Sequence, residues 1–175
     1  MIELIVVIIL VGILGAIGAS RFFDNTVFEN RAYADQAKTI IRYAQKLAIA
    51  QNRFMYVRSD GNSFAVCSTP ACDAGTLIPA PSGSNSGSAA TRNFCQQNAV
   101  WMCEGRPTNV VLSVKAGARP ELGASGYFYF DALGRPYNKV SASGVVSLLT
   151  PMTVVFTDGV NRTELTIEQE TGYVH

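Results

Sequence analysis

LIVVIILVGILGAIGA, residues 4–19, holds no charged or strongly polar side chain, and its reading decides the character of the whole chain. Met1 and Ile2 before it and Phe22 and Phe23 after it lengthen the apolar span to what a bilayer core takes, about 20 helical residues. Two charges interrupt the span, Glu3 near its start and Arg21 near its end. A cleaved secretory signal would need a basic beginning, a short apolar core and a small-residue cleavage site. Here an acid stands third, and Arg21 runs straight into more helical sequence. A buried helix of a soluble domain would seldom be apolar on every face for so long. The segment reads as a membrane helix continuing into a water-exposed one, with Arg21 at the membrane exit, where a guanidinium anchors among head groups.

Working outward, the pattern from Asp24 to Arg53 changes to an amphipathic helical period. Tyr33, Ala37, Ile40, Ile41, Ala44, Leu47 and Ala48 recur every three to four residues, while Arg31, Asp35, Lys38, Arg42, Gln45 and Lys46 fill the other faces. No proline occurs before position 54, so nothing forces a break between the two halves. A single helix over this length would be a rod of roughly 80 Å, far longer than a small domain needs. Much of it must then be covered by lipid or by other subunits. Gly12, Gly15 and Gly18 recur every three residues, a spacing that lets apolar helices approach closely or merely softens the helix.

After Arg53 the period falls towards two. Strands are expected at Phe54–Arg58, Ser63–Cys67, Asn109–Lys115, Gly126–Asp131, Val145–Leu149, Met152–Thr157 and Thr163–Glu168, with hairpin turns at Asp60-Gly61 and Asp158-Gly159. Between Ser68 and Pro107 lies a long irregular stretch that costs entropy unless tied down. Cys67, Cys72, Cys95 and Cys103 sit where they could do that. An even count behind a membrane-inserting segment suggests disulfides in an oxidising compartment. A tetrathiolate zinc site is the alternative, but neither pair has the short knuckle spacing zinc prefers. Of the three possible pairings, Cys67 with Cys72 and Cys95 with Cys103 is expected because each closes a short local loop. The organisation is thus residues 1–23 as a transmembrane or filament-core helix, 24–53 as an amphipathic helix entering the head, and 54–175 as a disulfide-containing β-rich head. The fold class is α+β, a long N-terminal helix packed on an antiparallel sheet head.

The opening IELIVVIILVGILGAIGASRF resembles the N-terminus of type IV pilins and type II secretion pseudopilins, whose mature chains begin with Phe, a small polar residue, Leu, Ile, Glu and Leu. The stretch YADQAKTIIRYAQKLAIAQNR (33–53) with the following FMYVR, and the shorter FDALGRP (130–136) and ETGYV (170–174), look like the minor-pilin branch. That branch includes GspH-like pseudopilins and the MshC-type minor pilins of mannose-sensitive haemagglutinin (MSHA) pili, and the four-cysteine head suits the latter. The resemblance implies a pilin-like structural subunit for pilus assembly or initiation, with a role in adhesion, and not an enzyme. By it, Glu3 is the family's glutamate, which aids subunit recruitment near the N-terminal amine of a neighbour. The implied partners are other pilins through the N-terminal helix, the inner-membrane assembly platform, and prepilin peptidase acting on a full-length precursor. The implied location is the bacterial inner membrane with a periplasmic head, then the pilus surface. The basic leader and processing glycine of the family do not appear, and Met1 stands where the family has Leu; a start assigned too late is the expected reason.

No cofactor or metal is implied, and no active site is visible. The sole histidine, His175, is the last residue and is expected to be exposed and unpaired. Gly12, Gly15 and Gly18 lack the Lys-Ser or Lys-Thr that would follow in a phosphate loop. Two further readings are a GspH-like pseudopilin and a tip subunit binding a ligand or DNA. Nucleic acid is not expected, because the segment from Phe54 onward carries 8 Lys or Arg against 9 Asp or Glu. Only a clustering of Arg92, Arg106, Arg119 and Arg135 on one face would favour it. Gly134 is expected at a backbone conformation that Cβ-bearing residues resist. One alternate pair among Tyr127, Phe128, Tyr129 and Phe130 should face the core, and Trp101 is expected to pack the small core beside the cysteines.

Overall fold

The computed structural model describes residues 2–22, 26–116, 119–120, 126–138 and 151–175 of the 175-residue chain. Its elements in chain order are α1 (Ile2–Phe22), α2 (Thr26–Gln51), β1 (Met55–Ser59), β2 (Ser63–Cys67), α3 (Ala89–Phe94), β3 (Cys103–Gly105), β4 (Val111–Ala116), β5 (Arg119–Pro120), β6 (Tyr127–Phe130), β7 (Pro136–Asn138), β8 (Met152–Thr157) and β9 (Arg162–Ile167). The continuity of one helix through residues 23–25 and the strand expected at 145–149 lie outside the described residues.

The amphipathic helix buries one stripe. Asn30, Tyr33, Ala34, Ala37, Ile40, Ile41, Ala44 and Ala48 are all at most 1% exposed, and they follow the three-to-four spacing that places residues on one helix face. Four of the eight are alanines, so the helix axis can approach a sheet closely. It serves two antiparallel sheets at once, one ordered β3-β2-β1-β6-β7 and the other β5-β4-β8-β9. Met55, Val57, Phe64, Phe128 and Phe130 from the first sheet and Val114, Val154, Phe156, Leu165 and Ile167 from the second share one core with that stripe. Tyr33 stands at the junction, its ring 6.3 Å from Phe64 and 5.6 Å from Phe156.

Alternation within the strands follows from this packing. β8 reads buried and half-buried by turns, and Phe128 and Phe130 take the core side of β6. Both expected hairpins form. At the first, Gly61 takes φ +85° while Asp60 Oδ1 accepts the amides of Asn62 and Ser63. At the second, Gly159 takes φ +93° and Asp158 Oδ1 accepts those of Val160 and Asn161. These donors, first that of Asn161, hold the Asp158 carboxyl below its ordinary pKa.

The two short motifs FDALGRP and ETGYV meet at one side chain of α2. Gln45 Nε2 donates to the carbonyl of Gly134 at 3.0 Å and to that of Thr171 at 2.7 Å. Gly134 lies at φ +78° and Gly172 at φ +64°. A Cβ on Gly172 would fall 2.3 Å from the Gly134 oxygen and 2.5 Å from Gln45 Nε2, so this junction admits no side chain there. One turn earlier, Arg42 donates to the Val174 carbonyl at 2.6 Å.

Asp131 organises the turn itself. Its Oδ1 accepts the amides of Leu133 and Arg135, both at 2.9 Å, and its Oδ2 takes the Arg135 guanidinium at 2.7 Å. Burial alone would raise the Asp131 pKa, but the backbone and side-chain donors of Arg135, with the Leu133 amide, outweigh it and hold the carboxyl below 3.8.

His175 differs from expectation. It is exposed but paired, Nε2 lying 2.9 Å from Glu168 Oε1, because the backbone hydrogen bonds between His175 and Thr166 bring the C-terminus alongside β9.

Two outcomes follow. Gln45→Ala deletes both donations and leaves two carbonyls without this partner, which should cost about 1–3 kcal/mol; an unchanged urea midpoint would refute the junction's importance. Asp131 has a depressed folded pKa, so its stabilisation is complete above the unfolded carboxyl range and is lost as pH falls through the folded value. The stability gap between the native chain and Asp131→Asn should therefore be about 1–3 kcal/mol at neutral pH and close below about pH 4, as read by denaturant melts across pH.

Candidate assembly interface

Along α1 the eleven large apolar side chains from Ile2 to Leu14 are each at least 50% exposed. Burying one such side chain is worth about 1.5–3 kcal/mol. Their sum exceeds the roughly 5–15 kcal/mol by which a whole domain is ordinarily stable. A surface this costly needs a cover. Gly12 and Gly15 have nothing within 4 Å of where a Cβ would stand, so on the isolated chain the helix backbone is open to close approach there. Glu3 is an exposed acid in the first turn of this helix. In hydrocarbon an unpaired carboxylate is expensive, which ties Glu3 to a partner wherever the helix is covered by lipid or by other apolar helices. The described side chains of α1 run over residues 2–15, fewer than the ~20 that a bilayer core takes. Among the described residues no helix is long and apolar enough to cross a membrane. The Arg21 side chain lies outside the described residues.

The head carries a second, smaller core. Disulfides join Cys67 to Cys72 and Cys95 to Cys103, and all four cysteines are buried with Ala65 and Trp101. Zinc ligation by these thiols is thereby replaced by two local staples. Trp101 donates its indole N–H to the Val66 carbonyl at 2.8 Å, and Arg58 lies over its ring at 4.6 Å. The Arg58 guanidinium also donates to the Phe94 carbonyl at 2.9 Å and stands 3.4 Å from Asp60. Burial lowers the Arg58 pKa, and Asp60 opposes that fall. One side chain of β1 thus clamps the hairpin turn, the ring of Trp101 and the end of α3 together.

The long irregular stretch is more ordered than its composition suggests. It contains α3 and β3, neither of which hydrophobic periodicity reveals. Ser88 caps α3 by accepting the Thr91 amide at 3.0 Å. Thr91 in turn donates to Glu104 at 2.7 Å, and Glu104 also accepts the Ser86 amide at 2.7 Å. Gly105 is required here, since a Cβ would lie 2.3 Å from the Ala90 oxygen. Two adjoining clefts of about 430 and 400 Å³ run between α2 and this loop, sharing Gln36 and Ser86. Glu104, which lines the first of them, is already bonded within the loop.

On the side of the five-stranded sheet away from α2, the register sets Tyr129 between Tyr56 and Tyr137. Their rings lie 5.3 and 5.4 Å from that of Tyr129, and Phe54 adds a fourth at 5.5 Å. Burial, then the phenols of Tyr56 and Tyr137, push the Tyr129 hydroxyl up to about 12. Arg106 and Arg135 lie apart. Arg106 donates to the Gly61 and Val110 carbonyls near the β3 edge, Arg135 sits at the β6–β7 turn beyond the opposite edge, and the Arg119 side chain lies outside the described residues. Among the described residues no group of three His, Cys, Asp or Glu could hold a metal ion.

No protein-family profile and no curated protein sequence matches the chain. Among solved structures, the type IV minor pilin FimU of Pseudomonas aeruginosa is similar at a TM-score of 0.49 and 16% identity, covering 86% of this chain and 90% of that one. The minor pseudopilin EpsH from the type 2 secretion system of Vibrio cholerae is similar at 0.48 and 14%, covering 84% and 94%.

The staples generate a quantitative outcome. Closing loops of these separations, 5 and 8 residues, should stabilise the head by about 2–3 kcal/mol each. Replacing Cys95 and Cys103 together by Ala should lower stability by that amount and shift Trp101 emission to the red as its pocket opens. Unchanged emission in the folded double variant would show that Trp101 is held without the staple.

Proposed function

We propose that this chain is a type IV pilin-like structural subunit, of the minor-pilin kind and with no catalytic role. The observation that carries the reading is the pairing of an apolar helix, exposed on all its described sides and entered by Glu3, with a separately cored and disulfide-stapled head. In this reading α1 holds the subunit in the inner membrane after export, with Arg21 at the exit. Assembly then transfers the helix from lipid to a bundle of like helices, one apolar surrounding for another. Glu3 makes that transfer selective, because its carboxylate gains a cationic partner, the N-terminal amine of a neighbour, only in the bundle. The heads form the outer surface.

Within this class the MSHA type is the finer assignment, resting on the resemblance of residues 33–58 and the four-cysteine head, with adhesion as the role of the displayed surface. Other pilins, the assembly platform and prepilin peptidase are the partners this function requires. A secretion pseudopilin would share the architecture, and neighbouring genes for a secretion secretin and ATPase would identify it.

The test uses filaments sheared from cells carrying the native upstream DNA. Intact mass and N-terminal sequencing should return a processed chain beginning two residues before Met1. Glu3→Ala should remain in the membrane fraction with both disulfides formed, yet fall at least about tenfold in the sheared fraction, the loss expected when a charge pair in an apolar setting is removed. An unprocessed chain that never leaves the membrane would sink the subunit reading.

A further inference from the structure

We infer that the end of the head where α2 begins is a lipid-contacting surface, on which Phe28 and Val160 enter the bilayer interface while the subunit is membrane-held. The inference rests on the membrane-anchored reading of α1 and adds to it a site in the head itself.

Two exposed apolar side chains flank one hydrogen-bonded clamp. Asn30, in the early turns of α2, donates from Nδ2 to the Asn161 carbonyl at 3.2 Å, tying the helix start to the tip of the β8–β9 hairpin. Val160, next to Asn161 at that tip, is 92% exposed, and Phe28, two residues before Asn30, is 76% exposed. At these exposures neither fills the core formed by the described residues. The hairpin needs only Asp158 and Gly159 for its turn, because Asp158 Oδ1 takes the amides of both Val160 and Asn161. A polar residue at 160 would serve the turn equally well.

Covalent connection supplies the occupant. Only three residues separate Phe22, the end of the apolar helix, from Thr26, the start of α2. Such a link spans at most about 14 Å. Wherever α1 lies in lipid, this end of the head is therefore held at the membrane surface. The opposite end, where Gln45 bonds Gly134, lies about 22 Å further along α2. The charges around the pair suit an interface. Arg31, one turn from Phe28, is exposed, and Arg162 is exposed beside Glu164, its ion-pair partner. Both can reach lipid phosphates. Of the acids, Glu29 faces Asn109 at 3.5 Å, and Asp158 is taken up by the turn. Side chains of this kind settle about 5–10 Å into the headgroup and acyl boundary.

The experiment places the full chain in phosphatidylcholine vesicles whose lipids carry bromine at defined acyl positions, and reads tryptophan quenching in V160W and F28W. L133W, at the far end and 72% exposed in the native chain, is the control, and buried Trp101 gives a common background. V160W and F28W should be quenched several-fold more than L133W, most by bromines near the headgroup end, at every protein-to-lipid ratio. Equal quenching at the two ends would overturn the inference, as would quenching that vanishes when protein density rises, which would mean that a second copy covers this surface. Alkaline carbonate extraction, run in parallel, separates the two readings. A retained chain with unquenched V160W removes this inference alone, whereas an extracted chain removes the anchor and this inference with it.

Discussion

The buried stripe of α2 is the constraint on which the rest of the head depends. A single helix face has to satisfy two sheets, and it can do so only because alanine at 34, 37, 44 and 48 keeps the face flat while Tyr33, Ile40 and Ile41 fill the seam. Large side chains at the alanine positions would hold the sheets apart, with overpacking costs of about 1–3 kcal/mol at each site. Aromatic rings then close the space between the sheets from the strand side, Phe64 and Phe156 meeting across Tyr33 at 6.2 Å. The helix is thus an internal strut of the head and not a lid laid upon it.

That strut leaves the outer face of the five-stranded sheet uncovered, and the chain treats its two halves differently. Over β2 and β3 the loop between residues 68 and 102 folds back, with Trp101 and both disulfides forming a second core. Over β1, β6 and β7 a set of tyrosine rings shields the sheet by packing on itself. Arg58 stands at the border, its guanidinium over Trp101 on one side and its strand neighbour Tyr127 on the other. A long loop loses too much entropy on ordering to lie still through hydrogen bonds alone, so the side that uses a loop needs cross-links and the side that uses aromatic rings does not.

How much of this was legible follows from the physics of each part. The amphipathic stripe of α2 was readable because a three-to-four period survives in sequence, and six of its residues and the hairpins at Asp60-Gly61 and Asp158-Gly159 appear where the pattern put them. Strand ends moved by one or two residues, as at Met55–Ser59, because pairing with a neighbour and not propensity sets where a ladder stops. α3 and β3 were missed since six and three residues are too few to show a period, although Ser88 three residues before Thr91 is a capping signal that could have been used. The division into two sheets was not readable either, because no local feature of β4 says that it pairs with β8 and not with β1. At the site, Glu3 and the cysteines were visible as residue types, whereas Gln45 looked like one more polar residue on the outer face. Its role comes from two carbonyls, 89 and 126 residues distant in sequence, which no local window contains.

The placement of α2's polar anchors bears on how a head could follow its helix out of a membrane. Under the proposed function, any force on α1 enters the head at the start of α2. Asn30 resists that pull at the near end, and Arg42 and Gln45 resist it at the far end, each through a bond to a backbone carbonyl of a different segment. Displacing α2 by one turn would break all of these together and put half-buried Lys38 in the place of buried Ala34, so there is no cheap intermediate slip. Cooperative loss of several hydrogen bonds and a whole apolar stripe makes the joint stiff at small displacements. A subunit that must be lifted from lipid into a filament by its helix needs that stiffness, because a helix that slid within its head would leave the head behind.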